Sequence, residues 1–333
     1  MKEKNKPIMK CLKSMEPVLK EWNKNSVGNL EKSLEETSRK LRELEFKEEI
    51  GALSEEDMLY MRSLSNKILA LTRQIKMKWW SKSMKKWIEE GDKNTKYFHS
   101  SVMLRRKRNQ IDMLIQEGKQ LTEDKDIVEA FAEWYKILWK NEDNLTNLDI
   151  MDKLKWAEIS NGEAKEMEKD LTMKEIRRAA FSLWREKSPG NDGYILELYL
   201  NNWDIVKENL KAEISTFMTS NILPEGWNNT VLTMIPKKEN AKEIGDFRPI
   251  ALCNNMYKIL AKIIMNIIRP VLEKIISPAQ SAFVPNRLSQ DNIFVIAEII
   301  NSIQGSKAKK LFILVKLELQ KAYDKYHGRL YMQ

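Results

Sequence analysis

Cysteine and histidine are scarce in this 333-residue chain, which contains two of each. Cys11 and Cys253 lie far apart, and no cysteine or histidine stands at the short spacings that zinc sites use. These absences exclude a disulfide-stabilised secreted scaffold and a zinc-finger module, and they favour a reducing compartment.

Long apolar runs are missing as well. The stretch ILAKIIMNII is interrupted by Lys262 and Asn266 and falls short of the roughly 18 residues that a membrane span needs. The basic start, MKEKNKPIMK, is not followed by the apolar core of a signal peptide. Because 42% of the residues are hydrophobic, the chain can form two or three domains with buried cores. The sequence therefore predicts a soluble intracellular protein, nuclear or cytoplasmic, without a membrane partner.

Positive charge is concentrated in one short part of the chain. The formal net charge is +9, and residues 76–110 hold eleven lysines and arginines against three acidic residues. Aromatic residues such as Trp79 and Trp80 are interleaved, so cations that can meet phosphates alternate with rings that can stack on bases. The pattern indicates nucleic-acid binding, with a solvated helix face and buried tryptophans as the alternative. The candidate contacts are Lys96, Arg105, Arg106, Lys107 and Arg108.

The segment 1–78 is predicted to be helical and coiled-coil-like. Two apolar stripes predict two helices packed as an antiparallel hairpin, with a break at Gly51 and a helix start at Ser54 and Asp57. Such stripes are usually structural, so the region 28–78 is assigned to support or to partner contact, including self-association. The stripes consist of Leu30, Leu34, Leu41 and Leu44, and of Met61, Leu64, Ile68, Leu71 and Ile75.

The middle of the chain combines helices with a loop. Residues 79–150 are interpreted as a basic, aromatic helical linker, in which GKQLTEDKDIVEAFAEWYKILW predicts a turn and then an amphipathic helix. In the last segment, 151–333, a capping box of Thr172 and Glu175 predicts a helix that runs to about Arg185. The KSPGNDG sequence that follows is dense in turn-forming residues and predicts a fixed loop.

From residue 228 the apolar pattern takes the period of strands. NTVLTMIPKK and DFRPIALC predict two short strands joined by the charged connector KENAKEIG. Lys237 and Arg248 then lie at the connector end, on opposite arms. An ammonium and a guanidinium on one rigid ribbon suit a triphosphate, and the alternative is a pair of solvated surface cations.

Two apolar helices and a strand are predicted after this hairpin. MYKILAKIIMNIIRPVLEKII predicts a core helix with a kink or break at Pro270. After an irregular loop, DNIFVIAEIINSI predicts a second buried helix capped by Asp291. KKLFILVKLEL predicts a strand covered on both faces, with Glu318 as its carboxylate.

Eight short motifs follow one another along the chain: WIEEGDKNTKYFH, RRKRNQI, KSPGNDGY, LPEGWNNTVLTMIPKK, DFRPIALCNNMYKILAKII, QSAFVPNR, DNIFVIAE and VKLELQKAYDK. In this order and spacing they resemble the reverse transcriptases of LINE-type, non-LTR retrotransposons, above all those of plants. The resemblance extends from about Trp79 to Tyr326. Each motif is short, and the specificity lies in the whole ordered series.

With the N-terminal helical hairpin predicted from the apolar stripes, the resemblance implies an α+β fold that continues with a mostly helical basic segment and with the fingers and incomplete palm of a right-hand polymerase. It implies copying of an RNA template into DNA from a DNA primer with two Mg²⁺ ions. By the same resemblance, Lys237 and Arg248 hold the triphosphate of the incoming nucleotide, and Tyr323 screens the 2′ position of its sugar. Glu318 occupies the position of the first catalytic carboxylate and metal ligand. PGNDG and QSAFVPNR correspond to loops near template and primer.

The chain departs from the family pattern at the metal site. Glu318 stands where the family has Asp, and its extra methylene moves the carboxylate by roughly an ångström, which exceeds the tolerance of productive geometry. The Asp-Asp pair that completes the family's two-metal site has no counterpart, because no Asp-Asp dipeptide occurs in the 333 residues. Asn191 and Asn286 stand where the family has Pro and Gly. We therefore expect a truncated fragment of a transposable element without polymerase activity.

Three hypotheses of different classes follow. The first is a reverse transcriptase homologue that is inactive as this chain. The second is a residual, non-catalytic RNA- or single-stranded DNA-binding protein that uses residues 76–110. The third is a helical interaction protein that works through residues 28–78.

Overall fold

The computed structural model describes residues 7–51, 54–83, 95–139, 158–185, 187–305 and residue 315. The chain divides into two compact units. Unit 1 comprises Met1–Ile111, Trp184–Glu239 and Phe247–Tyr257. Unit 2 comprises Asp112–Leu183, Asn240–Asp246 and Lys258–Gln333.

Helices and two small antiparallel sheets make up the described part of the chain, in agreement with the predicted α+β class. None of the helices in the described ranges is long and apolar enough to cross a membrane. The domain boundaries drawn from the sequence stay predictions. In chain order the elements are α1 (Ile8–Trp22), α2 (Leu30–Glu49), α3 (Glu55–Ser83), α4 (Thr95–Asn109), β1 (Leu114–Gln116), β2 (Lys119–Leu121), α5 (Asp124–Leu138), α6 (Asn161–Met167), α7 (Met173–Phe181), α8 (Leu196–Asn201), α9 (Trp203–Ser220), β3 (Thr230–Pro236), β4 (Phe247–Cys253), α10 (Asn255–Ile275) and α11 (Ser289–Gly305).

The predicted helical hairpin is confirmed by α2 and α3 in unit 1. The end of α3 lies beside the start of α2, where Lys78 Nζ is 2.8 Å from Glu31 Oε1, so the two helices run antiparallel. Gly51 makes the turn with φ +71°, a conformation that glycine adopts without steric cost. Ser54 and Asp57 then cap α3 reciprocally, the Asp57 N–H donating to Ser54 Oγ at 3.1 Å. The two stripes interlock along this interface and bury Leu44, Leu64, Leu71 and Ile75.

A second cluster in unit 1 joins α1 to α9. The Ile8 N–H donates to Glu213 Oε1 at 2.7 Å, and the indole N–H of Trp227 donates to Glu213 Oε2 at 3.1 Å. Trp227 is fully buried, together with Leu210 and Ile214 of α9. The Glu213 carboxylate therefore accepts hydrogen bonds both from the first N–H of α1 and from the indole N–H of a buried tryptophan. These bonds fix α1 on the core of the unit.

The β3–β4 hairpin is the larger sheet and has the predicted arms. Seven residue pairs form its antiparallel register, from Thr230 opposite Cys253 to Pro236 opposite Phe247. The two strands are therefore in register over their whole length.

Unit 2 contains a small hairpin that the sequence indicated only as a turn. β1 and β2 pair antiparallel around Glu117 and Gly118, whose φ angles of +50° and +78° fit a two-residue hairpin turn of type I′. β1 also bonds to the chain at 242–243, with the Ile115 N–H donating to the carbonyl of Lys242 at 2.7 Å. The amphipathic helix predicted next is α5, which buries Ile127 and Phe131.

Two capping boxes start the short helices of unit 2. The predicted box of Thr172 and Glu175 opens α7, and a second box of Ser160 and Glu163 opens α6. The helix predicted to reach about Arg185 ends at Phe181. Its last turn closes with tighter bonds, the Leu183 N–H donating to the carbonyl of Ala180, because the chain is turning toward the following loop.

The predicted core helix is α10, which continues through Pro270 without a break. It buries Ile259, Leu260 and Ile263 on one face. The prediction of a second buried helix was wrong for α11. None of its side chains is buried among the described residues, and Phe294 is 71% exposed. An unbroken apolar run does not reveal which elements will cover it, and this helix lacks such cover within the described part of the chain.

Candidate nucleotide-binding hairpin and nucleic-acid interface

The connector end of the β3–β4 hairpin brings the two predicted nucleotide-binding cations to one place. Arg248 is the second residue of β4 and lies directly opposite Ile235 of β3. Lys237 follows β3 immediately, after the pair of Pro236 with Phe247. Both cations are exposed. The geometry therefore places an ammonium and a planar guanidinium at the same end of a paired ribbon, as the sequence predicted.

This hairpin end is anchored by one buried aromatic residue. Phe247, between Asp246 and Arg248 in sequence, is only 3% exposed, whereas Arg248 points its charge to solvent. A buried ring beside an exposed guanidinium restricts the backbone from which the guanidinium extends. Chemically, the end can offer a bidentate donor and a point charge to phosphate oxygens without reorganising the backbone.

The loop 188–194 is held by a buried amide at the other end of the hairpin. Asn254, which follows β4, is fully buried. Its side-chain oxygen accepts from the Asp192 N–H at 3.1 Å, and its side-chain nitrogen donates to the carbonyl of Gly226 at 2.9 Å. A Cβ on Gly190 would lie 2.4 Å from the Asn254 side-chain oxygen and 2.5 Å from backbone atoms. Only glycine fits there, because the loop backbone lies directly against the strand end.

Further polar contacts complete this Asn254 cluster. The hydroxyl of Tyr199 donates to Asp192 Oδ2 at 3.0 Å, and the Tyr194 N–H donates to Asp192 Oδ1 at 3.2 Å. The side chain of Asn255 donates to the carbonyl of Tyr194 at 2.7 Å. Burial, followed by the neighbouring Asp192, raises the pKa of Tyr199 far above its usual range, so its hydroxyl stays a donor. The predicted fixed loop is therefore fixed by side chains that the sequence did not single out.

An open cleft of about 1120 Å³ lies beside this cluster in unit 1. Its walls carry both signs of charge, including Lys10, Lys13, Glu16 and Glu213. The mixture favours neither anionic nor cationic ligands, so the cleft does not by itself indicate a binding function.

The loop 277–288 in unit 2 is organised by Arg287. Its guanidinium donates to four backbone carbonyls, those of Glu273, Ile276, Ser277 and Gln280, at 2.5–3.0 Å. The bonds to Glu273 and Ile276 satisfy carbonyls at the end of α10, and those to Ser277 and Gln280 hold the loop that follows it. Asn286, the departure from the family's glycine, has φ +59°, a conformation that asparagine tolerates better than most residues.

The predicted nucleic-acid contacts lie on α4. Arg105, Arg106, Lys107 and Arg108 are all exposed, and α4 contains no acidic residue. Successive helix positions are about 100° apart, so four consecutive cations surround the helix rather than forming one face. Lys96 belongs to the same helix, and its side chain lies outside the described residues. The arrangement can attract a polyanion from several directions.

The ring contacts of Trp79 join α3 to α4. The Trp79 and His99 rings pack edge to face with centroids 4.5 Å apart. The Lys82 ammonium lies 5.2 Å from the Trp79 ring centroid, within cation–π range. Trp79 is half-buried, so it is not the buried tryptophan that the alternative interpretation expected, and part of the residue stays exposed.

Glu318 and Tyr323, and the strand predicted around Glu318, lie outside the described residues. Within the described ranges, no group of three or more His, Cys, Asp or Glu side chains could hold a metal ion.

Comparison with known proteins agrees with the motif series. Residues 235–327 match the family model described as reverse transcriptase (RNA-dependent DNA polymerase). Over 238 residues, 70% of this chain, the sequence is 27% identical to the "Transposon TX1 uncharacterized 149 kDa protein" of Xenopus laevis and covers 18% of it. Over 131 residues, 38% of this chain, it is 25% identical to the "Retrovirus-related Pol polyprotein from type-1 retrotransposable element R1" of Bradysia coprophila and covers 13% of it. The chain thus spans less than a fifth of either relative.

The matched region begins inside β3 and includes Lys237, Arg248, Glu318 and Tyr323. Residues 235–327 are therefore part of a reverse transcriptase domain. More narrowly, the chain is a homologue of the reverse transcriptases of LINE-type, non-LTR retrotransposons, which confirms the resemblance seen in the sequence. The plant-like character of the motifs stays a prediction.

Sequence reasoning missed Asn254 and Arg287. The signal for Asn254 was the Asn-Asn pair at the junction of β4 and α10, where a side-chain amide can bond to neighbouring loops. The signal for Arg287 was a single arginine in the loop after a helix end, where free carbonyls need donors.

Proposed function

We propose that this chain supplies the nucleotide-binding fingers of an RNA-directed DNA polymerase. The observation that carries this proposal is the register of the β3–β4 hairpin, which places Lys237 and Arg248 at one end of a fully paired ribbon. The Lys237 ammonium binds the triphosphate as a point charge, and the Arg248 guanidinium donates hydrogen bonds to two phosphate oxygens at once. Tyr323, by family resemblance, contacts the sugar of the same nucleotide.

The polymer partners are an RNA template and a DNA primer. The exposed cations of α4 support backbone contact, because they attract phosphates irrespective of sequence. The loops at 188–194 and 277–288 are held by Asn254 and Arg287. Because these loops are already fixed, they can contact a template or primer without the entropy cost of ordering a flexible loop.

Nucleotide binding by the hairpin is tested with a fluorescent deoxynucleoside triphosphate and the whole 333-residue chain. Loss of a charge-assisted hydrogen bond costs about 1.5–3 kcal/mol, so Lys237→Ala and Arg248→Ala should each weaken binding about tenfold or more. Lys238→Ala is the matched control, since it removes the same charge one position further along the connector. Equal losses for Lys237→Ala and Lys238→Ala would reject the specific role of Lys237 in favour of general charge.

We further propose that residues 1–333 alone do not incorporate nucleotides. Two features support this: the lengthened carboxylate at Glu318, and the lack of an Asp-Asp dipeptide in these residues. A template-primer extension assay with Mg²⁺ or Mn²⁺ compares the chain with Glu318→Asp and Glu318→Gln. We expect no incorporation above the Glu318→Gln background. Incorporation that disappears in Glu318→Gln would refute the proposed inactivity and leave the nucleotide-binding proposal intact.

A second candidate function, non-catalytic binding of RNA or single-stranded DNA, rests on the exposure of Arg105 to Arg108. Binding of an unstructured RNA oligonucleotide should weaken steeply with salt and fall strongly when all four cations become alanine. The control removes four exposed cations of the α2–α3 hairpin and should change binding little. If the two quadruple variants weaken RNA binding equally, binding depends on the net charge of the chain and not on residues 105–108 in particular. The control positions are Lys40, Arg42, Lys47 and Arg62.

A further inference from the structure

Several large apolar side chains are exposed at the turn end of the α2–α3 hairpin. Phe46 is 64% exposed in the last turn of α2, and Leu59 is 66% exposed in the first turns of α3. Single exposed apolar residues, such as Leu69 and Met77 further along α3, are ordinary, but a group at one end of a helical pair is typical of a contact surface. We define the tip surface as Phe46, Ile50, Met58, Leu59 and Tyr60, all of them exposed.

Acidic residues surround this tip surface. Residues 43–57 contain seven acidic residues and one basic residue, Lys47. An apolar surface rimmed by negative charge fits a partner that presents apolar side chains rimmed by positive charge, because both the desolvated centre and the charged border are then matched.

Such a surface exists on α4 of the same unit. Met103 and Leu104 are exposed, Leu104 to 69%, and the exposed cations 105–108 follow them directly. Here too apolar side chains and charge of one sign are adjacent, with the sign reversed. The basic end of α4 is defined as Met103, Leu104 and residues 105–108, whose cations surround the helix.

Within one copy, α3 separates the two surfaces. Residues 58–60 lie at the start of α3, whereas the ring of Trp79, near the end of α3, contacts the ring of His99 on α4. At 1.5 Å per residue, the length of helix from Met58 to Trp79 is about 30 Å. The tip surface therefore lies at the end of α3 away from the α4 attachment.

We propose that the tip surface of one copy of this chain docks on the basic end of α4 of a second copy. Two copies related by a two-fold axis make this contact twice, which closes the assembly as a dimer. The proposal goes beyond the nucleotide- and template-binding function, because its occupant is the chain itself.

Sedimentation velocity of the whole chain tests the dimer at about 0.1 M and about 1 M salt, where the screening length falls from about 10 Å to about 3 Å. We expect a dimer whose dissociation constant rises at least about tenfold with this increase in salt. A wild-type chain that stays monomeric at micromolar concentration in low salt overturns the proposal.

Charge reversal identifies the surfaces. A tip-reversed variant changes Glu48, Glu49, Glu55 and Glu56 to Lys, and a helix-reversed variant changes residues 105–108 to Glu. Each variant alone should be monomeric, and an equimolar mixture should restore a mixed dimer, because both contacts then pair opposite charges. A dimer of either variant alone, or no dimer in the mixture, contradicts the assignment of surfaces.

Two further variants separate this result from general effects. The control changes four exposed acids away from the tip to Lys and should keep the dimer despite the same change in net charge; the positions are Glu21, Glu35, Glu208 and Glu225. Phe46→Gln with Leu59→Gln keeps all charges and removes exposed apolar side chains, so folding should be unaffected and dimerisation at least about tenfold weaker. Wild-type dimerisation by this double variant rejects the apolar part of the contact.

Discussion

The β3–β4 hairpin and α4 both present cations to solvent, and they differ in what holds those cations in place. The hairpin is paired along both strands, and buried groups such as Phe247 and Asn254 fix its two ends. The cations of α4 surround an exposed helix that contacts α3 and β3. The first arrangement can select the shape of a ligand, and the second selects mainly its charge. Chain geometry, rather than the number of positive charges, distinguishes a nucleotide site from a polyanion site.

The largest expected effect comes from Gly190→Ala, which disturbs the buried contacts that fix one end of the β3–β4 hairpin. The added Cβ would lie 2.4–2.5 Å from Asn254 and Cys253 atoms, two of them backbone, so the loop or the strand end must move. We expect a loss of about 3 kcal/mol in unfolding free energy, measured by urea denaturation. Gly162→Ala is the control, because nothing lies within 4 Å of its Cβ position. Similar losses for both variants would show that the close approach does not determine stability.

Asn254→Ala is expected to cost somewhat less, about 2 kcal/mol, because it leaves the Asp192 N–H and the Gly226 carbonyl without their partner in a buried place. Chemical denaturation measures the loss, and hydrogen exchange at Asp192 should become faster. Asn202→Ala is a useful comparison, since its side chain bonds only to the carbonyl of Leu198 at an exposed helix end. An unchanged exchange rate at Asp192 would contradict the role given to Asn254.

Arg248→Lys and Arg106→Lys sharpen the contrast between shape and charge. Lysine keeps the charge and loses the planar fork, so nucleotide affinity should fall several-fold, about 1 kcal/mol, for Arg248→Lys. RNA affinity should stay within about twofold for Arg106→Lys, because a polyanion responds to charge alone. Fluorescence titrations with a nucleotide and with an RNA oligonucleotide measure the two. Unchanged nucleotide affinity in Arg248→Lys would show that the hairpin, like α4, responds only to the charge of its ligand.

The smallest expected effect concerns an exposed ion pair of unit 2, and this effect disappears in acid. Lys274, followed by the Ser160 hydroxyl and backbone, lowers the pKa of Glu163 from 4.5 to about 2. Because the folded-state pKa is depressed, this contribution to stability is present above pH 4.5 and is lost as the pH falls toward 2. At pH values above 4.5, the unfolding temperature of Lys274→Ala should therefore be slightly lower than that of wild type. As the pH falls toward 2, the two unfolding temperatures should converge. A difference that persists at the acid end would assign the effect to packing of Lys274.

The sequence predicted elements whose signal is local and missed those that depend on distant partners. The stripes ending in Leu44 and Ile75 have a helical period, and the arms around Lys237 and Arg248 are separated by a charged connector, so both hairpins were predictable. The exposure of α11 was not, because an apolar run is the same whether or not another element covers it. Asn254 and Arg287 were missed because polar residues in loops are ordinary until the structure shows the carbonyls that they reach.

The uninterrupted length of α3 has a mechanical consequence. From Glu55 to Trp79 the helix extends about 36 Å, and a helix of this kind is stiff over such a distance. By geometry alone, a tilt of about 10° at Trp79 would displace the opposite end of α3 by about 6 Å. A small rearrangement where α4 is attached would thus be amplified into a large displacement at the far end of the helical pair.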